Sequence, residues 1–502
     1  MTEPLLSELS RPGRRGHQLP DFKGRPDDLP ADLLRDDLRL PELSELDVVR
    51  HFTHLSTFNH SIDSGFYPLG SCTMKYNPKV NEEVARLPGF SAIHPYQPES
   101  SVQGALAVMH ELARLLAEVT GFEAVTLQPA AGAQGELAGM LMIRACLQAR
   151  GEGQRTKVLI PDSAHGTNPA TAAMCGFYTV AIPTDTRGNV DLAKLKAEAD
   201  GETVGLMLTN PNTLGLFEEH VMELAEAVHR AGGLMYGDGA NLNAILGVVK
   251  PAEVGFDVLH INVHKTFSQP HGGGGPGAGP VAVTRELEPF LPTTVVAVRD
   301  GRYLLDYDRP RSIGKVKAFC GHFGVFARVL TYILMHGGPG LREISRTAVL
   351  NANYLRALLQ DVYTVAYDRT CMHEVVLSGK QQKALGVRTL DIAKRLIDFN
   401  FHPPTIYFPL IVDEAIMVEP TETESKETLE AFADAMRRIA HEAQENPELI
   451  HSAPHNRVVG RLDEVRAARQ PVLRWSWAEA DAGLPAEERA AIGQAVVRRE
   501  SR

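Results

Sequence analysis

The residue with the clearest chemical potential in this chain is a lysine that follows a short apolar run. Lys265 stands beside His264 after residues 258–263, which read as a buried strand, and before a loop containing four glycines at 272–275. A lysine amine forms Schiff bases with carbonyl compounds, and its pKa falls readily on burial. A surface lysine after a strand has the same local signature, so the neighbouring strand ends must decide between the two.

Three further segments carry suitable residue types at such ends. In QPAAGAQGE (128–136) small residues lie between a strand and an apolar helix. Backbone amides there can approach a ligand closely, and a helix N-terminus favours an anion. The spacing is neither a Walker loop nor GxGxxG, so a nucleotide is not implied, and a plain strand-to-helix turn fits as well. In PDSAHGTNP, His165 follows a strand, where a flat imidazole could stack on a planar ring or serve as a cap or core group. In LMYGDGAN, Asp238 directly follows apolar residues, and a carboxylate there can keep a pyridine nitrogen protonated. Between these segments TNPNTLG offers Asn212, whose amide could donate to a phenolate oxygen, with Asn210 a close competitor. Phosphate cradle, ring stacker, pyridinium partner and Schiff-base lysine are together what pyridoxal 5'-phosphate requires.

The elements that must position these residues follow from periodicity. A helix from Gln103 keeps apolar spacing through Leu106, Met109, Leu112, Leu116 and Val119, and Gly121 supplies its stop. Apolar segments at 125–127, 157–160, 178–182, 204–208, 234–236, 258–263 and 281–283 read as strands. Helices are expected between them at 135–148, 168–175, 191–199 and 219–231. Such alternation predicts an α/β domain with a mostly parallel sheet, and ligands of such sheets sit beyond the strand carboxyl ends. After residue 320 the pattern changes to long helices at 323–335 and 341–359. Shorter strands near 374–377 and 406–410 and helices near 389–399 and 425–444 complete a smaller α+β domain. The expected organisation is an N-terminal arm with a site-lining loop (1–100), a large domain (101–320), a small C-terminal domain (321–470) and a peripheral tail (471–502). Residues 1 to about 50 show no clear periodicity and are expected to form an extended arm. The GFYPLGSCTMKYNP segment (65–78) reads as a constrained loop able to line a polar pocket.

Composition narrows the function classes. A formal charge of −11 argues against a nucleic-acid protein. The five cysteines Cys72, Cys146, Cys175, Cys320 and Cys371 form no CxxC pair and no metal-like spacing. His51, His54 and His60 are interleaved with Phe52, Leu55 and Phe58, which suggests packing, and no metal is expected. The N-terminal residues lack an apolar core segment and carry two early glutamates, so they fit neither a secretory signal nor a transit peptide. No stretch approaches the apolar length needed to cross a membrane, so a cytoplasmic location is expected. The basic segment RPRSIGKVK (309–317) reads as a solvated face or as a surface that steers an acidic partner.

The segments GFYPLGSCTMKYNP, QPAAGAQGE, AHGTNPA, TNPNTLGLFE, YGDGANLNA and INVHKTFSQPHGGGGPGAGP together resemble the family of subunit 2 of glycine dehydrogenase (decarboxylating), the P-protein of the glycine cleavage system. The resemblance implies the aspartate-aminotransferase-like fold, fold type I of pyridoxal-phosphate enzymes. Carried over by residue, it implies Lys265 as the Schiff-base lysine and Asp238 as the pyridinium partner, both catalytic together with His264. It further implies His165 as the ring stacker and Ala131, Gly132 and Ala133 as the phosphate cradle. Asn212 would lie at the ring oxygen, and Ala240 would be a further cofactor-contacting position. The implied reaction is decarboxylation of glycine with transfer of the aminomethyl group to the lipoyl arm of an H-protein. The implied partner is a homologous subunit 1, in an α2β2 heterotetramer.

Overall fold

The computed structural model describes residues 3–17, 20, 30–34, 40–271 and 277–474. The glycines at 272–275 and nearly all of the expected tail lie outside the described residues.

Seven strands form the main sheet: β1 (Ala124–Thr126), β2 (Lys157–Pro161), β3 (Tyr178–Ile182), β4 (Thr203–Thr209), β5 (Leu234–Gly239), β6 (Val258–Ile261) and β7 (Val281–Val283). Their order is β1-β7-β6-β5-β4-β2-β3, with β7 antiparallel to both neighbours and the other pairings parallel. β2, β4, β5 and β6 are buried along their whole length, so they read as continuous apolar runs rather than alternating ones. One face packs on the helix Gln103–Thr120 through Met109, Leu112 and Leu116, and on Val221–Arg230 through Leu224 and Val228. Burying a leucine as fully as Leu112 or Leu116 stabilises by about 1.5–3 kcal/mol. Gly121 ends the first of these helices in the left-handed region at φ +81°. The helices Gly132–Ala149 and Thr167–Met174 cover the other face.

The strand carrying Lys265 is shorter than its apolar run suggests. β6 stops at Ile261, and residues Val263–Thr266 form a single helical turn in which Lys265 N–H donates to Asn262 O at 2.9 Å. Lys265 therefore rides on a turn rather than on the strand end itself.

The N-terminal arm is not extended throughout: a helix runs over Glu45–Phe58, five residues before the expected end of the arm. Ser44 and Asp47 cap it reciprocally. A second sheet, the antiparallel hairpin β8 (Val295–Arg299) and β9 (Arg302–Asp306), has no counterpart in the strand expectations. Its turn residues Asp300 and Gly301 both have positive φ, as a two-residue hairpin turn requires.

The small C-terminal domain is a four-stranded antiparallel sheet, β10 (Thr364–Val365), β11 (Val375–Ser378), β12 (Thr405–Ile406) and β13 (Ala415–Val418), in the order β10-β11-β13-β12. The helices Thr389–Asp398 and Lys426–Glu445 cover it through Ile392, Leu396, Leu429 and Phe432. The helix Phe323–Leu359, kinked at Gly337 just before Pro339, contributes to the cores of both domains. The 65–78 loop belongs to neither body alone. Leu69 bridges to Val418 at the C-terminal end of β13, while Lys75 reaches into the large domain. Among the described residues no helix is long and apolar enough to cross a membrane.

Candidate active site

Asp238 and His260 are direct register partners on the parallel strands β5 and β6. Both are buried, and Asp238 Oδ1 lies 3.3 Å from His260 Nε2 and accepts the Ala240 N–H at 3.0 Å. Ala240 thus orients the Asp238 carboxylate through its backbone. Tyr236, two residues earlier and on the same face, sets its hydroxyl 2.5 Å from His260 Nδ1. A carboxylate only accepts, so His260 must carry its proton on Nε2, and its Nδ1 then accepts from Tyr236. Burial pushes the His260 imidazole below its ordinary pKa, despite the opposing charge of Asp238, so this neutral tautomer is the one present. Asp238 Oδ2 receives no hydrogen bond from the protein among the described residues, which leaves one lone-pair edge for a ligand.

Glu136, quoted in the cradle segment but given no role by sequence, joins this cluster. Its carboxylate, Asp238 and His260 bring ligand atoms within 4.8 Å of one another. Burial, and then the charge of Asp238, push the Glu136 carboxyl up to about 8, so at neutral pH it keeps its proton and Asp238 holds the charge. Thr167 Oγ1 lies 2.8 Å from Glu136 Oε1 and 2.9 Å from His165 Nδ1, and Thr167 N–H donates to the same nitrogen at 3.2 Å. A protonated Glu136 can donate to the threonine, whose hydroxyl then donates to His165. This leaves the proton of His165 on Nε2 and fixes the plane of an exposed ring. Phe408 from the small domain meets that ring edge-on at 5.7 Å.

The residues Ala131, Gly132 and Ala133 form the start of the 18-residue helix Gly132–Ala149. Ala131 is extended and offers no side-chain cap, so the amides of the first turn are open to an anion. Close approach is built in. A Cβ on Gly132 would stand 2.1 Å from Asn262 Oδ1, and one on Gly139 would stand 2.9 Å from the Tyr236 ring. Asn262 Oδ1 is itself buried without a partner among the described residues. Gln128 and Gln134 tie this helix start to the basic segment: Val316 N–H donates to Gln128 Oε1 at 2.6 Å, and Gln134 Nε2 donates to Val316 O at 2.6 Å. Within that segment the Arg311 guanidinium lies over the Phe290 ring and Arg309 pairs with Glu288.

Lys265 is half-buried, and its Nζ donates to Ser71 O at 2.9 Å, in the middle of the 65–78 loop. His264 is pushed down to about 4, first by burial and then by the charges of His271 and Lys265. It is therefore a neutral ring at working pH, with Nδ1 free of any partner among the described residues. The one lysine of that loop, Lys75, is a strut and not a pocket group. It is buried and donates to Thr266 O (2.7 Å), Glu422 Oε1 (2.8 Å) and Tyr332 Oη (3.2 Å). Burial pulls its ammonium down, but the Glu422 carboxylate more than offsets this and holds it above its ordinary value.

Asn212 is not among the residues brought together. Its Nδ2 donates to Gly188 O at 2.9 Å and its Oδ1 accepts the N–H groups of Leu214 and Leu216. The side chain is committed to the tight turn after β4 that ends at Gly215, where φ is +73°. Asn210 is likewise engaged, accepting Glu218 N–H at 3.0 Å. The residues that sequence reasoning missed, His260 and Glu136, are polar groups inside otherwise apolar elements. A histidine within a buried strand was the available signal.

These features fit pyridoxal phosphate: an amine, a buried carboxylate with one open edge, a fixed imidazole plane, and an uncapped helix start with no room for a Cβ. Residues 344–459 match the family profile described as "Glycine dehydrogenase, C-terminal domain". Over 479 residues the chain is 60% identical to a protein of Halalkalibacterium halodurans named "probable glycine dehydrogenase (decarboxylating) subunit 2", covering 94% of this chain and 98% of that one. A protein of the same name from Caldanaerobacter subterraneus is 59% identical over 477 residues, with the same coverage. The fold matches the crystal structure of glycine decarboxylase (P-protein) of the glycine cleavage system in inhibitor-bound form. That match has a TM-score of 0.69 at 24% identity and covers 82% of this chain and 93% of that one.

Proposed function

This chain belongs to the family of glycine dehydrogenase (decarboxylating) subunit 2, and from that membership we propose that it decarboxylates glycine as a pyridoxal-phosphate enzyme. The aminomethyl group would pass to the lipoyl arm of an H-protein. One observation carries the reading. Lys265 lies one turn beyond β6, beside a strand pair whose register partners are Asp238 and His260.

The bound cofactor would supply a carbonyl for amine capture and a conjugated ring that accepts the electrons left as carbon dioxide departs. Lys265 Nζ is the amine that would hold it. Asp238, aligned by Ala240 N–H and His260, is the carboxylate that would hold a proton on the ring nitrogen. Glu136 stays protonated, so it adds no second charge beside Asp238. The ring of His165 would lie against the cofactor ring, and the amides of Ala131, Gly132 and Ala133 would hold the phosphate. His264 supports the site as a neutral imidazole rather than as a loaded acid, because its burial keeps it deprotonated.

The name subunit 2 in its relatives supports a partner subunit, and we assign that role to a homologous subunit 1 in an α2β2 assembly. The basic segment at 309–317 is fastened to the cradle by Gln128 and Gln134, and in this reading it would steer an acidic carrier toward the site. The five cysteines are all free thiols, which agrees with a reducing cytoplasm.

The deciding experiment is Lys265→Ala in the full chain. It should abolish the visible absorbance of lysine-bound cofactor and the exchange of labelled bicarbonate into glycine in the presence of lipoylated H-protein. Retained absorbance would remove Lys265 from its role. Amino transfer to a keto acid in place of exchange would point to an aminotransferase.

A further inference from the structure

Behind Lys265 lies a second acidic cluster that the assigned roles leave unused. Glu374 immediately precedes β11 and Glu419 immediately follows β13. The last register pair of these antiparallel strands is Val375 with Val418, which makes the two glutamates the next facing pair along the ladder. Both are fully buried. Like charges directly opposite one another destabilise a strand pair, so an unassisted Glu–Glu pairing needs a reason.

The partners supply one. Glu374 Oε2 accepts Ser71 N–H at 2.9 Å, and Glu419 Oε2 accepts Thr73 N–H at 2.8 Å. Asn243 Nδ2 donates to the remaining Glu419 oxygen at 3.2 Å. Ser71 and Thr73 both sit in the left-handed region, at φ +63° and +49°. Such backbone costs on the order of 1–3 kcal/mol per residue and persists only where the surroundings hold it. Ser71 is the residue whose carbonyl receives Lys265 Nζ. The small domain thus reaches Lys265 through two carboxylates and one strained turn.

The charge of the pair follows from its neighbours. His373 Nε2 is 3.7 Å from Glu374 Oε2, but burial pushes this imidazole down to about 3, so it is neutral. Cys72, on the turn itself, is held protonated by burial. Lys265 is the cation acting on both carboxyls. Burial, and for Glu374 also the charge of Glu419, raise both glutamates above the ordinary carboxyl range. Glu374 Oε1 is buried with no hydrogen-bond partner among the described residues, and carboxylate oxygens of the two glutamates lie within 4.8 Å of one another, too close in a buried site for both to be charged.

We propose that Glu374 and Glu419 form a single proton-sharing unit that positions Lys265, holding the Ser71–Thr73 turn in its strained form and giving the lysine one negative charge to face. The proposal rests on Lys265 being the cofactor-bearing lysine. It assigns the two glutamates a positioning role, exerted through the Ser71 carbonyl and through their shared charge.

The test is a spectrophotometric pH titration of the cofactor-loaded enzyme assembled with its partner subunit, reading the midpoint of the visible band of lysine-bound cofactor. Glu374→Gln and Glu419→Gln each remove the shared proton and leave one charge, so each midpoint should stay within about 0.3 unit of the parent. The double glutamine variant removes the charge, and its midpoint should fall by about one unit or more. Equal shifts in single and double variants, or none in any of them, overturn the proposal. If the double variant does not fold, infrared spectra of the single variants decide: each should lose one protonated-carboxyl stretch, and retention of that band in both overturns the sharing. Borohydride reduction and peptide mapping of the parent separate the two levels. Label on a residue other than Lys265 overturns both the reading and this inference. Label on Lys265 without the predicted pattern overturns the inference alone.

Discussion

Asp238 and His260 face one another across β5 and β6 at 3.3 Å, as register partners whose positions are set by the main-chain ladder. Their alignment therefore does not depend on loop conformation. It depends on the sheet, on the Tyr236 hydroxyl that donates to His260 Nδ1, and on Gly139, which lets a helix press against Tyr236.

Replacing Asp238 by Asn should leave the cofactor bound but reduce decarboxylation on the order of a hundredfold or more, the scale for a lost preorganised charge. Tyr236→Phe should cost less, about tenfold, because His260 keeps its place and the tautomer set by Asp238 but loses the donor to its buried Nδ1. Bicarbonate exchange with saturating H-protein measures both. Near-normal turnover of the Asn variant would detach Asp238 from the ring nitrogen.

Gly132→Ala should weaken cofactor binding by at least about tenfold, since the new methyl must displace the Asn262 amide from 2.1 Å. Helix propensity alone argues the other way, because Ala is the better helix former by about 1 kcal/mol. Equilibrium dialysis of the cofactor and a thermal melt of the unloaded chain separate the two effects.

The carboxyl of Glu136 titrates near 8 in the fold and near 4.5 when unfolded, so folding takes up a proton between these values. Its contribution to stability is complete below the unfolded value and is lost as pH rises toward 8. Glu136→Gln should flatten that alkaline decline, by on the order of 2 kcal/mol between pH 6 and 9 in urea unfolding. His264 acts in the opposite direction, since its depressed value makes the fold lose stability as pH falls from 6.5 toward about 4. A stability profile in which the Gln variant is no less pH-sensitive than the parent above pH 7 contradicts the assignment of the Glu136 proton.

Lys75→Met leaves Glu422 buried without its partner and should destabilise the chain by about 3–5 kcal/mol. Adding Glu422→Gln should recover a substantial part of that loss, because the unpaired charge is then gone. Denaturation midpoints of the single and double variants provide the comparison. Equal midpoints would mean that the pair contributes through shape rather than charge.

The sheet was legible because its central strands β2, β4, β5 and β6 are buried along their whole length and because helices alternate with them. Segments 178–182 and 281–283 match β3 and β7 residue for residue. The Asp300–Gly301 hairpin carried a recognisable turn signal but sits beyond the alternating βα pattern, and attention to that pattern obscured it. Asn212 was a sound choice by residue type, yet an asparagine ahead of Leu214 and Gly215 satisfies its own turn first, and spacing does not show which demand wins. Lys265, Asp238 and His165 announced themselves because each follows an apolar run at the same sheet edge. Glu374 and Glu419 could not: they lie about 300 residues or more from Ser71 and Thr73, and only the folded ladder brings them together.

The kinked helix Phe323–Leu359 has a consequence for how the chain can be divided. Phe326, Val329, Tyr332 and Ile333 before the kink, and Leu341 and Ile344 after it, complete the large core, while Ala352, Leu355 and Leu359 complete the small one. The stretch from Leu341 to Leu359 is a single rod shared by both. A fragment cut near residue 320 would leave the large core open along one side, and a fragment starting there would expose that same apolar surface to water. Expression of the two as separate pieces should therefore give aggregation-prone material.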